Sequence, residues 1–164
     1  MKNHGTSLYM VISNTILIGN LKGGYARIQT LAHECMHSIQ NRKLLLFNYI
    51  FSNIYILYFL VITIFTVFNM VSNKMLQLFI LTITGFIFYA VRSYLETDAM
   101  TKAKYLAKEY LENTEKCNSI EIEKLMNSYD EINKQAIPFT NYSLILKVLT
   151  KIIIYCIVCI ISNF

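Results

Sequence analysis

From Leu44 to Asn73 the chain carries no charged residue, a run of thirty positions. A helix needs roughly 20 apolar residues to cross the hydrocarbon core of a bilayer, so the run is long enough to span one. A second uncharged run of seventeen follows, Met75 to Val91, after a polar turn from Asn69 to Lys74. Spans are expected at about 46–70 and 75–91, joined as a helical hairpin, with Gly85 marking close helix packing. With 55% hydrophobic residues and a mean hydropathy of +0.43, the composition is too apolar for an ordinary soluble domain.

A third apolar run, Tyr142 to Ile161, carries Lys147 and Lys151 on one face near its start. It reads as a span whose lysines snorkel to the surface, the alternative being a helix lying in the interface. Between the hairpin and this run the chain is polar. Ser93 to Asn113 has a helical pattern, Asn118 with Glu121 resembles a capping box opening a helix from Ser119 to Gln135, and Pro138 is expected to break the chain. The reading is one unit over 1–164, mainly α and integral to the membrane: short N-terminal strand or strands, a motif helix, a transmembrane hairpin, polar helices over 92–137, and a C-terminal span.

The net charge of +5 does not point to nucleic acid, because the basic residues are spread out or flank apolar runs. Arg42, Lys43 and Arg92 border the hairpin on one side, while its turn has only Lys74. The positive side is normally cytoplasmic. A multi-pass protein of the plasma membrane follows, with the polar helices facing the cytoplasm and the C-terminus outside. The N-terminus through His4 reads as a tail, and the interrupted run after it does not read as a cleavable signal. Leu8 to Ile18 reads as one or two short strands around a Ser13-Asn14 turn, and glycines punctuate the loop before a helix from Tyr25. Cys117, like Cys35, Cys156 and Cys159, does not fit a secreted disulfide framework, and Cys156-x-x-Cys159 reads as apolar filling.

The helix from Tyr25 carries His33-Glu34-Cys35-Met36-His37. Residues i and i+4 share a helix face, so both imidazoles can reach one metal ion. Glu34 sits about 100° round the helix, placed to take a proton from water activated at that metal. This is the H-E-x-x-H pattern of zinc-dependent proteases. Cys35 points away from the metal face. Arg42-Lys43 are expected to close the helix with positive charge. A strand before such a helix can pair with an extended peptide, or it is plain structure.

Zinc needs a third protein ligand. A hairpin returns the chain to the side it left, so residues after Val91 re-emerge near those before Leu44. The first acid there is Glu96, which completes a His/His/Glu site. Asp98 is the runner-up. It lies about 200° round the helix from Glu96, and so can instead orient a histidine or pair with Lys102.

The order strand, glycine-rich loop, His33-Glu34-x-x-His37 helix, two spans, Glu96-Thr97-Asp98-Ala99 and a final span resembles the YugP-like zinc-dependent membrane proteases, distantly related to HtpX-type enzymes. The strongest parts are Leu31 to Glu34, Ser38 to Gln40, and Glu96 to Ala103. The resemblance implies a gluzincin with zinc on His33, His37 and Glu96 and Glu34 as general base. It implies an endopeptidase acting on a peptide or membrane protein at the cytoplasmic face. Tyr25 and Tyr94 are the nearest oxyanion donors in sequence. The family usually has Gly where this chain has Met36, so packing behind the site must differ. The rival expectation is a catalytically inactive membrane protein that binds and assembles partners.

Overall fold

The computed structural model describes residues 7–19, 24–114 and 117–162, the side chain of Tyr25 excepted. Among them lie two strands, β1 (Leu8–Met10) and β2 (Thr15–Leu17), and four helices. These are α1 (Gly24–Ile39), α2 (Arg42–Val67), α3 (Lys74–Thr114) and α4 (Ser119–Ile161). The chain is mainly helical, and α2, α3 and α4 are each long and apolar enough to cross a membrane.

The expected hairpin forms, antiparallel with Tyr9 opposite Ile16. Its turn is wider than Ser13-Asn14, because Val11 and Ile12 belong to it. Asn14 adopts a left-handed φ of 50°, and its Oδ1 accepts from the Tyr9 hydroxyl at 2.9 Å. Asn tolerates that region better than a branched residue, which places the turn here. His4 and the loop residues 20–23 lie outside the described residues.

Two helix ends differ from the sequence reading. Arg42-Lys43 do not close α1 but open α2. Asn41 is the cause: its Oδ1 accepts from the backbone of Lys43 at 3.0 Å and of Leu44 at 3.4 Å, as an N-cap does. Pro138 does not end α4, which continues through it to Ile161. An internal proline removes one backbone hydrogen bond, and helices with strong contacts on both sides of the gap absorb that loss. The polar helix and the third apolar run are therefore one element, as are the second apolar run and the polar segment after it, both within α3. The capping box forms as expected. Glu121 N donates to Asn118 Oδ1 and Asn118 N to Glu121 Oε2, each at 2.9 Å. α2 ends in a Schellman turn with Asn69 at φ 55°, where Met70 N reaches Phe65 O and Asn69 N reaches Thr66 O.

Contacts divide the chain into two compact units. The first comprises Met1–Leu46 and Tyr94–Phe139, the second Phe47–Ser93 and Thr140–Phe164. The first unit is built on a stripe along α3: Leu95, Ala99, Ala103, Ala107 and Leu111, four residues apart and all buried. Small residues on that ridge let neighbouring helices approach closely. Ala32 and Met36 of α1 join the same buried cluster, as do Ile122, Leu125, Met126 and Tyr129 of α4. Asn133 Nδ2 donates to the Met100 carbonyl at 3.0 Å, and Lys104 pairs with Asp130 at 2.7 Å.

The second unit centres on Tyr55, Ile62, Leu81 and Tyr155. One of its buried hydroxyls bonds within its own helix. Thr66 Oγ1 donates to Ile62 O at 2.7 Å and lies 3.2 Å from the Tyr155 hydroxyl. Gly85 marks a close approach, as expected: a Cβ there would lie 2.6 Å from Val148 Cγ1 and 2.7 Å from the Tyr55 oxygen. Lys151 turns back along its own helix, donating to Lys147 O and resting 5.5 Å from the Tyr55 ring centroid. Cys156 and Cys159 are free thiols, and Cys159 packs against the apolar cluster.

Candidate metal centre

In the first unit His33 and His37 occupy successive turns of α1, and Glu96 lies on α3. Each follows directly after a buried apolar residue: Ala32, Met36 and Leu95 respectively. The buried ridges of α1 and α3 thus carry the three polar side chains on their flanks. His33 Nε2 lies 3.5 Å from Glu96 Oε2, and His37 Nε2 lies 3.8 Å from the same oxygen. The imidazole centroids are 4.7 Å apart, with the rings nearly perpendicular at 87°. One donor atom from each residue falls within 4.8 Å of the others.

These separations are too long for hydrogen bonds, which run to about 3.2 Å. They are close to the roughly 3.3–3.5 Å edge of a tetrahedron whose metal–ligand bonds are about 2.0–2.2 Å. The two nitrogens and one carboxylate oxygen form a donor set that fits a divalent metal and could hold one. His33 is the most exposed of the three, at 22% of its side chain against 9% for His37 and 12% for Glu96. The group is therefore reached from the His33 side.

Gln40, named in the sequence only as part of a motif, fixes His37. Its amide nitrogen donates to Leu95 O and to Asp98 Oδ2, both at 2.9 Å. Its oxygen must then be the end that meets His37 Nδ1 at 2.8 Å. An amide oxygen only accepts, so Nδ1 carries the proton and Nε2 keeps its lone pair toward Glu96. Partners of this kind orient metal-binding histidines and raise their basicity. The signal available in the sequence was spacing: Gln40 is three residues after His37, on the same helix side.

Asp98 is not in the three-residue group. It accepts from Gln40 and pairs with Lys102 one turn on. Its pairing with Lys102 is the one expected, and its link toward His37 runs through Gln40. Burial alone would raise its carboxyl. The hydrogen bonds from Lys102 and Gln40, with the charge of Lys102, outweigh burial and hold it below the ordinary carboxylate range.

Glu34 is buried, one position beyond His33. Cys35 is half-buried and outside the three-residue group. Burial first, then the charge of Glu34, push its thiol up, which disfavours the thiolate a metal needs. Met36 is 7% exposed and packs into the cluster that holds Ala99 and Ala103. A long side chain on α1 thus meets small ones on α3, which accounts for Met36 where the resembling family has Gly. Tyr94 is 60% exposed, two residues and about 200° from Glu96 on α3, so it faces away from the group. The Tyr25 side chain lies outside the described residues.

No family model, no curated protein and no solved structure matches this chain.

Proposed function

We propose that the chain is a zinc-dependent endopeptidase of a membrane, acting on peptides or membrane proteins. The observation that carries this reading is the convergence of Glu96 on His33 and His37, fifty-nine positions after the second histidine. The donor set of two imidazoles and one carboxylate is that of catalytic zinc sites that keep a fourth position open. The resemblance to YugP-like proteases supports the same assignment.

In this mechanism His33, His37 and Glu96 hold the ion, and Gln40 keeps His37 in the tautomer that can bind it. When bound, zinc supplies Lewis acidity, polarising a peptide carbonyl and lowering the pKa of water toward neutrality. Glu34 removes the proton from the attacking water as its oxygen bonds to the carbonyl carbon. Glu34 then gives that proton to the amine as the C–N bond breaks.

The three apolar helices support a place in a membrane. Exposed side chains such as Phe79, Leu57, Ile83 and Ile157 suit hydrocarbon rather than water as their surroundings. Placing the positive flanks inside, by Arg42, Lys43 and Arg92, gives a multi-pass protein of the plasma membrane with Glu34 facing the cytoplasm.

The test combines metal content with a comparison of membrane proteomes. The purified chain should carry close to one zinc, and Glu34→Gln should keep it while substrates accumulate uncleaved. Zinc retained with no change in any membrane protein on Glu34→Gln would favour an inactive assembly protein. Absence of zinc from the chain purified without chelator would remove both readings of the site.

A further inference from the structure

Beside His33 the first unit holds a cleft of ≈ 240 Å³ between α1, α3 and α4. At about 30 Å³ for each water, that is room for roughly eight non-hydrogen atoms, the size of one amino-acid side chain. His33 lines it, with Thr30, Met100, Ala103, Ile132 and Ala136 among the other residues of its wall. No Asp, Glu, Lys or Arg lines it among the described residues.

Two polar side chains of the wall reach neighbouring elements. Asn133 Nδ2 donates to Met100 O at 3.0 Å, and Gln29 Nε2 lies 3.5 Å from Ser128 Oγ. The Asn133 bond ties α4 to α3 along this wall. Tyr129 also lines the cleft. It is 4% exposed, and its hydroxyl has no partner among the described residues.

We infer that this cleft is the subsite for one uncharged, apolar side chain of the substrate, next to the bond being cut. The inference rests on the proposed metal centre and adds its specificity. The reasons are contiguity, size and charge. His33 is both the most exposed member of the three-residue group and part of the cleft wall. A group held at the metal therefore directs its neighbouring side chain into this space. A charged side chain would lose water there without gaining a partner of opposite sign.

Hydroxamates test this, because the hydroxamate group chelates the metal and fixes where the attached side chain goes. The probes are acetohydroxamate and the N-acetyl hydroxamates of leucine, phenylalanine, aspartate and lysine. Binding to the zinc-loaded full chain in detergent micelles is measured by calorimetry. The expected result is tenfold or tighter binding of the leucine and phenylalanine probes over the charged pair. Ala136→Phe, at a half-buried position, should remove that gain and leave acetohydroxamate unchanged. Ile132→Asp, at an exposed position, should raise affinity for the lysine probe. If acetohydroxamate binds but all four side chains bind alike, or neither substitution changes their order, the subsite is wrong and the metal centre stands. If acetohydroxamate itself fails to bind the zinc-loaded chain, the metal centre is wrong and the subsite falls with it.

Discussion

The buried polar side chains of the two units differ in kind. Among the described residues, the first unit buries Glu34, His37 and Glu96, and the second buries Asn48 and Thr66. Those of the second unit are neutral. Thr66 returns its hydroxyl hydrogen to the carbonyl of its own helix, as Ser and Thr do in apolar surroundings. Those of the first unit are ionisable, and burying such groups is expensive unless they are paired or bind a metal. Two of the three, with His33, bring one donor atom each within 4.8 Å of one another, a group that could hold a metal ion. The second unit thus buries neutral groups among packed helices, and the first gathers ionisable groups at one place.

Substitutions can break this contrast, and the largest effect belongs to Glu34. Glu34→Gln keeps the shape and removes the base. Peptide cleavage should fall about 10²- to 10⁴-fold, with zinc content unchanged. A loss of zinc in parallel would recast Glu34 as a structural residue of the centre.

Gln40→Ala comes next. Without its oxygen, His37 is free to rotate and to change tautomer, and zinc affinity should weaken about 10- to 100-fold in competition with a chelator. Unchanged affinity would show that the bond to Gln40 is incidental. The second unit supplies the control. Gly85→Ala places a methyl 2.6 Å from Val148 Cγ1, so the unit must shift to admit it. Overpacking of this sort costs about 1–3 kcal/mol, read as a lower melting temperature in micelles with zinc affinity unaltered. Weaker zinc binding in that variant would mean the two units are not separable in function.

The smallest effect sharpens the contrast by pH. Zinc retention should fall as pH drops through about 6.5, where free imidazoles gain protons. The Asp98 carboxyl is held below its ordinary value, so its stabilising contribution is present above that value. That contribution is lost only as pH falls through the lowered one. Metal should therefore leave while the Asp98–Gln40 contact is intact, and Asp98→Asn should shift zinc affinity less than Gln40→Ala does. Infrared titration of the carboxylates against zinc release would show the order of the two events.

Much of this arrangement could be read from the residues. The uncharged runs announced α2 and the apolar parts of α3 and α4, because length and charge alone settle whether a helix can span a bilayer. The capping box at Asn118 and Glu121 was legible because both bonds are local. Glu96 could be named as the acid that meets His33 and His37 because a hairpin constrains where the chain returns. The errors were at helix ends. Asn41 was passed over as a cap because Arg42 and Lys43 suit the end of one helix as well as the start of the next. Pro138 was read as a breaker because local propensity says nothing of the contacts that hold a helix on either side. Gln40 escaped as an orienting residue because its role needs Leu95 and Asp98, more than fifty positions away. The Tyr129 wall had no local signal at all.

The most direct test of the central claim is zinc stoichiometry in Glu96→Ala beside Asp98→Ala, each dialysed against the same dilute chelator. Helix content by circular dichroism confirms that both have folded. One metal centre made by His33, His37 and Glu96 predicts near-complete loss of zinc in Glu96→Ala and close to one zinc per chain in Asp98→Ala. Full retention of zinc in folded Glu96→Ala would contradict it.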